Sequence, residues 1–451
     1  VADLQPTRRG RLAGQMDWER QYQALLMSAE EAAGLVPLDG VLACSGGTNW
    51  PEKFDRALAA RLRREGGHIE LVSQFFLHQA VLTSPECREH VHYCSNFFTW
   101  ERNIGDQGNV FFAPTNLSQS GDLMVARRPQ VVVLTCSAPD ERGWMSRSLW
   151  GAHVTRRMLE TPGIQLIAVV NRNLPFLYSE GDGHMMLHVS EVDGIVEDDY
   201  HPVELPATPS SPDDEKIAGF IADLVPDGAC MQFGLGGLAN AVGTHLADAG
   251  KKDLGFHSEV LGNCVVDLVE KGVITGLRKQ DNPGRCVASF IVGDRRLWNF
   301  VADNPMVCMK EISWTNDPRV LSRNDKVVSI NNAMEIDLTG QVNSETVGTR
   351  QYSGTGGQLE WVIGSQWSRG GKSILALKSA YRDKTGRLRS KIVPTLTPGS
   401  VITTPRTVVQ YVVTEYGVAD LKYKTTLERA RALIAIAHPD FREELRRNLP
   451  L

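Results

Sequence analysis

Short runs rich in β-branched residues alternate along the chain with longer amphipathic stretches. VVVLTC at 131–136 is followed by a helix-like GAHVTRRMLE at 151–160 and then by IQLIAVV at 164–170. Uninterrupted apolar runs of this length are the pattern of strands buried on both faces, so the alternation predicts an α/β fold with mainly parallel sheets. The pattern breaks from Asp198 to Lys216, where Pro202, Pro206, Pro209 and Pro212 lie among acidic residues. Proline lacks the backbone donor of a helix interior or a central strand, which predicts a linker near residue 210 and two domains, 1–210 and 211–451.

The two halves resemble each other in the order of their strand-like segments. LVPLDGVLACSGG (35–47), IELVSQFFL (69–77), VVVLTCSAPDERGWMS (131–146) and VDGIVE (192–197) are matched by LVPDGACMQFGLGG (224–237), DLGFHSEVL (253–261), VVSINNAMEIDLTGQVNS (327–344) and VQYVVTE (409–415). A recurrence in fixed order predicts two tandem duplicated α/β domains. Ligand sites favour the carboxyl ends of parallel strands and domain interfaces, so the active site is expected at the interface between the domains.

Within the repeat, Ser258-Glu259 falls opposite Gln74-Phe75. A carboxylate at the end of an apolar strand is either a cap or ion-pair partner, or a reactive group held at a cleft. His257, two residues earlier, shares its face on a strand and either orients the carboxylate or packs. Gly234-Leu235-Gly236-Gly237 links the strand-like ACMQF to a helix-like LANAVGTHLAD. Such a junction is either a tight turn or a set of free N–H groups suited to an anion or a carbonyl oxygen. Ser353-Gly354-Thr355-Gly356-Gly357-Gln358 is a second backbone of the same kind. Gly370-Gly371-Lys372-Ser373 superficially matches the end of a phosphate loop, but Gln366 stands where the leading glycine belongs and KSILAL reads as a strand.

Composition narrows the classes. The chain has 451 residues with 48 Lys+Arg against 53 Asp+Glu, a net charge of −5. That balance gives no footprint for nucleic acid, and Arg8, Arg9 and Arg11 read as a solvated tail. No apolar run suggests a membrane span and no signal pattern opens the chain, so a cytoplasmic protein is expected. The 8 cysteines lack CxxC spacing and read as buried reduced thiols. His90 with His92, and His184 with His188, have no supporting ligand pattern, and no metal site is expected. No GxSxG elbow points to a serine hydrolase.

The run DLGFHSEVLGNCVVDLVEKGVITG from Asp253 resembles the active-site segment of family I CoA-transferases, in the acetyl-CoA hydrolase/transferase group that includes the 4-hydroxybutyrate and butyrate:acetate CoA-transferases. QFGLGG (232–237), SINNAMEIDLTGQVNSE (329–345), QYSGTGGQLEWV (351–362), GGKSILAL (370–377), IVPTLTPGSVITTPR (392–406), YVVTEYGVADL (411–421) and AHPDFREEL (437–445) extend the resemblance across the second half. SAPDERGWMS (137–146) and HVSEVDGIVE (188–197) carry it into the first. The chain departs from the family pattern at Ala239 and Asn240, at Leu261-Gly262-Asn263-Cys264, and at Lys378, where proline is usual.

The resemblance implies that Glu259 is a nucleophile that attacks an acyl-CoA thioester, forming an acyl-glutamyl anhydride and then a glutamyl-CoA thioester, with ping-pong kinetics. It also implies that Gly236, Gly237, Leu238, Ala239, Asn240, Met334, Gly356 and Gly357 line the CoA site, and that Arg382 lies near CoA phosphates unless YRDKTGRLRSK is a solvated hairpin. The substrates would be an acyl-CoA and a short carboxylic acid, with no permanently bound cofactor, and the assembly a homodimer or dimer of dimers. After the transferase reading come an acyl-CoA hydrolase using the same Glu259, an itaconate-type diacid CoA-transferase, and last a catalytically silent CoA-binding module.

Overall fold

The computed structural model describes residues 17–449, so the expected solvated tail at Arg8, Arg9 and Arg11 lies outside the described residues. The chain forms two compact units. One comprises the chain through Glu204 together with Ser289–Ile291 and Trp298–Trp314; the other comprises Leu205–Ala288, Val292–Leu297 and the chain from Thr315 onward.

The first unit is built on β1 (Val41–Cys44), β2 (Ile69–Val72), β3 (Val91–Ser95), β4 (Val110–Phe112), β5 (Val131–Cys136), β6 (Gln165–Val170) and β7 (Gly194–Glu197). They form one sheet in the order β4-β3-β2-β1-β5-β6-β7, parallel at every pairing. The apolar runs are explained by two cores, one on each face. Val131 and Val133 of β5 join one core with Leu42, Leu71 and Ile167, while Val132 and Leu134 join the other with Ala43, Val72 and Ala168. A strand serving both cores has no solvent side, hence no polar alternation.

The second unit repeats the central part of this order and adds an antiparallel edge strand. β8 (Cys230–Phe233), β9 (Gly255–His257), β10 (Cys286–Ala288), β11 (Val327–Asn332), β12 (Lys372–Ala376), β13 (Tyr411–Thr414) and β14 (Gly417–Asp420) run β10-β9-β8-β11-β12-β13-β14. The first five pairings are parallel and the last antiparallel. In each unit the first strand lies between the second and the one that follows a long excursion, β2-β1-β5 against β9-β8-β11, so the chain reverses its direction of growth at the same place. All four segments of the sequence repeat occupy equivalent strands. The pairings place Leu71 beside Leu42 and Gly255 beside Cys230; four residues further on stand Phe75 and Glu259. Phe75 has a φ of 61° and packs on Phe97 and Trp150, with ring centroids 4.5 and 5.1 Å apart. The first unit therefore carries an aromatic cluster where the second carries a carboxylate.

Two expectations need correction. Residues 151–160 are not one helix; only Arg156–Leu159 is helical. Arg147 is fully buried, donates to the Val154 carbonyl and pairs with Glu311 at 2.6 Å, while the Arg156 N–H donates to that same carboxylate. Backbone groups that would close the first helical turns instead solvate a buried ion pair, whose desolvation would otherwise be costly. The proline-rich stretch also contains a helix start: Pro212 is the first residue of α1 (Pro212–Leu224), capped by a reciprocal Ser211–Asp214 box. Proline is suited to that position, because its missing N–H would have no intrahelical partner.

All eight cysteines are buried and free. Among the described residues no helix is long and apolar enough to cross a membrane, and no group of three His, Cys, Asp or Glu residues is placed to hold a metal ion. His90 and His188 are engaged with the carbonyls of Gly67 and Arg142.

Candidate active site

The loops after β8 and β9 leave the same edge of the second unit's sheet, as adjacent parallel strands require. The Ser258 hydroxyl ties them, donating to the Phe233 carbonyl at 3.2 Å. Glu259 follows, partly exposed. The Asn316 amide donates to its Oε2 at 2.9 Å, and the fully buried Trp361 turns its indole N–H toward the same carboxylate, outside a well-formed hydrogen bond. Close-packed protein around the carboxylate raises its pKa above the usual range, and the Asn316 and Trp361 donors oppose that rise. His257 packs behind this group: its Nε2–H donates to the Thr315 carbonyl at 3.0 Å, and its ring meets Trp361 edge-on, with centroids 5.8 Å apart.

The second glycine cluster comes up against this carboxylate. Gly356 has a φ of 59°, and Gly357 caps α3 (Gln358–Trp367) with φ −94° and ψ 0°. Any residue can adopt the Gly357 backbone, so its glycine answers to space: a Cβ there would stand 2.2 Å from both Glu259 Oε2 and Asn316 Nδ2. The loop is pinned from two sides. Buried Glu345 accepts from Thr355 at 3.3 Å and Thr403 at 2.9 Å. Gln358 donates to the Asn332 carbonyl at the end of β11, at 2.8 Å, and accepts from Ser344 and Thr404.

The first glycine turn is confirmed as a strand–turn–helix junction leading into α2 (Gly237–Asp248). Gly236 has a φ of 100° and open space where a Cβ would point, whereas a Cβ on Gly237 would meet the Pro209 carbonyl at 2.6 Å. Leu238 and Ala239 are buried, and the Asn240 amide donates to the Thr208 carbonyl. Met334 lines a groove of about 860 Å³ with Tyr352, Tyr381, Arg387 and Lys391. Arg382 belongs to the antiparallel pair Ala380–Arg382 and Leu388–Ser390, is exposed, and donates to Gly386 of its own hairpin at 2.9 Å.

The structure thus gathers Glu259 and Gly357 and adds Asn316 and Trp361, which sequence reasoning did not select. Trp361 lies inside QYSGTGGQLEWV, where nothing in the sequence gives it a role. Asn316-Asp317-Pro318 reads locally as a helix start, with Asp317 as the cap, and nothing in that spacing points to a carboxylate 57 residues away.

Residues 11–205 match the acetyl-CoA hydrolase/transferase N-terminal domain and residues 293–449 match its C-terminal domain. The chain is 38% identical over 432 residues to a succinyl-CoA:cyclohexane-1-carboxylate CoA transferase of Geobacter metallireducens, covering 95% of each. It is 35% identical to the butyryl-CoA:acetate CoA-transferase of Anaerostipes caccae, covering 95% of this chain and 97% of that one. The crystal structure of a 4-hydroxybutyrate CoA-transferase from Porphyromonas gingivalis superposes with a TM-score of 0.79 at 32% identity, over 96% of this chain and 98% of that one. With both domain profiles matched in order and relatives aligned over nearly the whole length, this chain is an enzyme that belongs to the acetyl-CoA hydrolase/transferase family.

Proposed function

We propose that the protein moves CoA between a short acyl-CoA and a carboxylic acid, with Glu259 as the nucleophile. The observation that carries this reading is a partly exposed carboxylate held by the Asn316 amide against a glycine that leaves no room for a side chain. A free Glu259 oxygen attacks the thioester carbonyl; the C–S bond breaks, CoA leaves as thiolate and an acyl-glutamyl anhydride remains. The thiolate then attacks the glutamyl carbonyl, forming the glutamyl-CoA thioester and releasing the acid as carboxylate. A second carboxylate reverses the sequence and departs as acyl-CoA, so the thioester bond energy is conserved.

Attack on the glutamyl carbonyl develops negative charge on a Glu259 oxygen. The Asn316 N–H is already aimed at one of them and needs no reorganisation, a contribution worth about 3–4 kcal/mol per donor. Gly236, Gly237, Gly356 and Gly357 offer backbone to the thioester and the pantetheine chain, Leu238 and Ala239 contribute main chain only, and Asn240 holds the turn to Thr208. Met334 marks the groove for the nucleotide end. Arg387 and Lys391 line that groove and are better placed than Arg382 to meet phosphates.

Exchange of CoA from butyryl-CoA onto acetate, 4-hydroxybutyrate, itaconate and cyclohexanecarboxylate tests the reading beside a control lacking acceptor. Acceptor-dependent formation of the new thioester is expected. Thioester loss unchanged by any acceptor would make the protein a hydrolase instead.

The raised Glu259 pKa sets the acid limit. Attack requires the ionised carboxylate, so kcat/KM should fall on acidification from a pH above the value of about 4.3 for an ordinary glutamate. The pH profile of the exchange reaction checks this, and a limb at or below that value would contradict it.

A further inference from the structure

We infer that Glu360 is a positioning residue for the nucleophile, acting through Asn316. Glu360 lies on α3 and is almost fully buried. The Asn316 Nδ2 that donates to Glu259 Oε2 also lies 3.3 Å from Glu360 Oε2. One amide group therefore stands between two carboxylates, and its two N–H bonds serve one each.

This arrangement decides which way the amide faces. An asparagine side chain presents an acceptor oxygen or a donor nitrogen of nearly the same shape, and its neighbours choose between them. Asn316 is fully buried, and its Oδ1 has no hydrogen-bond partner among the described residues, so nothing on the oxygen side holds the orientation. Glu360 does so from the nitrogen side, because a flipped amide would set Oδ1 against two carboxylates. With Glu360 in place, the donor points at Glu259 before, during and after thioester exchange. Without it, a buried Asn316 can turn its oxygen toward the developing charge and repel it. The same packing explains why α3 begins where it does. Gly357 lets the start of the helix approach Glu259, and Glu360, one turn further on, reaches the amide from behind.

Glu360 has this role only if Glu259 is the nucleophile proposed above, so wild-type acyl exchange is measured first. Glu360→Leu removes the acceptor with little change in volume. Its kcat is expected to fall about 10- to 100-fold with KM for acyl-CoA nearly unchanged, as when the partner that orients a site ligand is lost. In an Asn316→Ala background the same substitution should cost little more, because the residue it orients is already gone. A Glu360→Leu variant with wild-type kcat, or losses that multiply fully in the double variant, would overturn the role while leaving the transferase reading intact. A wild-type chain without exchange would remove both. If Glu360→Leu unfolds below the assay temperature, Glu360→Asp, which keeps the charge but withdraws the acceptor by one methylene, is judged by the same two criteria.

Discussion

Glu259→Gln should abolish CoA transfer, by about ten-thousand-fold or more in kcat, while leaving the fold at least as stable at neutral pH. Removal of a nucleophile has effects of this order because what survives is only the binding and electrostatic share of catalysis. The amide is nearly isosteric and its oxygen still accepts from Asn316, but its neutral carbonyl cannot form the anhydride. Incubating wild-type protein with an acyl-CoA should leave a hydroxylamine-sensitive CoA adduct on the peptide that contains Glu259, and the variant should carry none. The stability arm follows from the direction of the pKa shift. Burial raises the folded-state value, so the protonated form favours the fold, and that contribution is complete below the unfolded pKa of about 4.3 and lost as pH rises through the folded value. At pH 7 the wild-type carboxylate opposes folding and glutamine does not. Melting curves should show Glu259→Gln equal to or above wild type at neutral pH, with the difference closing toward pH 4. A variant that melts lower at pH 7 and loses activity only in step with unfolding would make Glu259 a structural residue.

The fold was legible because strand burial leaves a direct mark. β5, buried at every position, is written in apolar residues save for Thr135, and its recurrence in order with three other segments is what a duplicated sheet requires. Glu259, the proposed nucleophile, stood out in the sequence for the converse reason: charge at the end of such a strand is expensive unless it is exposed, paired or used, and the sister domain has Phe75 there. The donor set was not legible. Asn316 is brought to Glu259 by the tertiary fold, and a buried asparagine leaves the same trace in a sequence as a helix-start residue. The broken helix at 151–155 was hidden in the same way, since Glu311, which draws its backbone groups away, is 155 residues from Arg156. Pro212 was misread for a local reason: proline counts against a helix interior but favours its first residue, and only the Ser211–Asp214 box tells the two apart. The hairpin around Arg382 is set by short-range turn chemistry, in which Asp383 accepts from Thr385 and Arg389, and a hairpin is the alternative that the sequence had left open for YRDKTGRLRSK.

Gly357→Ala should lower kcat by about a hundredfold or more with only a small loss of stability, a separation that follows from where the added methyl would go. The Gly357 backbone, at φ −94° and ψ 0°, is open to alanine, so no left-handed strain opposes the change. The Cβ would meet Glu259 Oε2 and Asn316 Nδ2 at 2.2 Å and Trp361 Cδ1 at 3.0 Å, distances that force something to move. Trp361 is fully buried in a packed core and yields least, whereas the Glu259 carboxylate is a side-chain end at a partly exposed position. The carboxylate is therefore what moves, breaking its 2.9 Å bond to Asn316 and leaving the line of attack. A displacement of about 1 Å at a reacting group is enough for a loss of about a hundredfold. Because the methyl is aimed at the proposed nucleophile and away from the groove around Met334, the loss should appear mainly in kcat and less in KM for acyl-CoA. Steady-state exchange kinetics read against a melting curve separate the two effects. Wild-type kcat in Gly357→Ala would mean that the carboxylate reacts from a different position, whereas a large fall in melting temperature would place the strain in the core and not on Glu259.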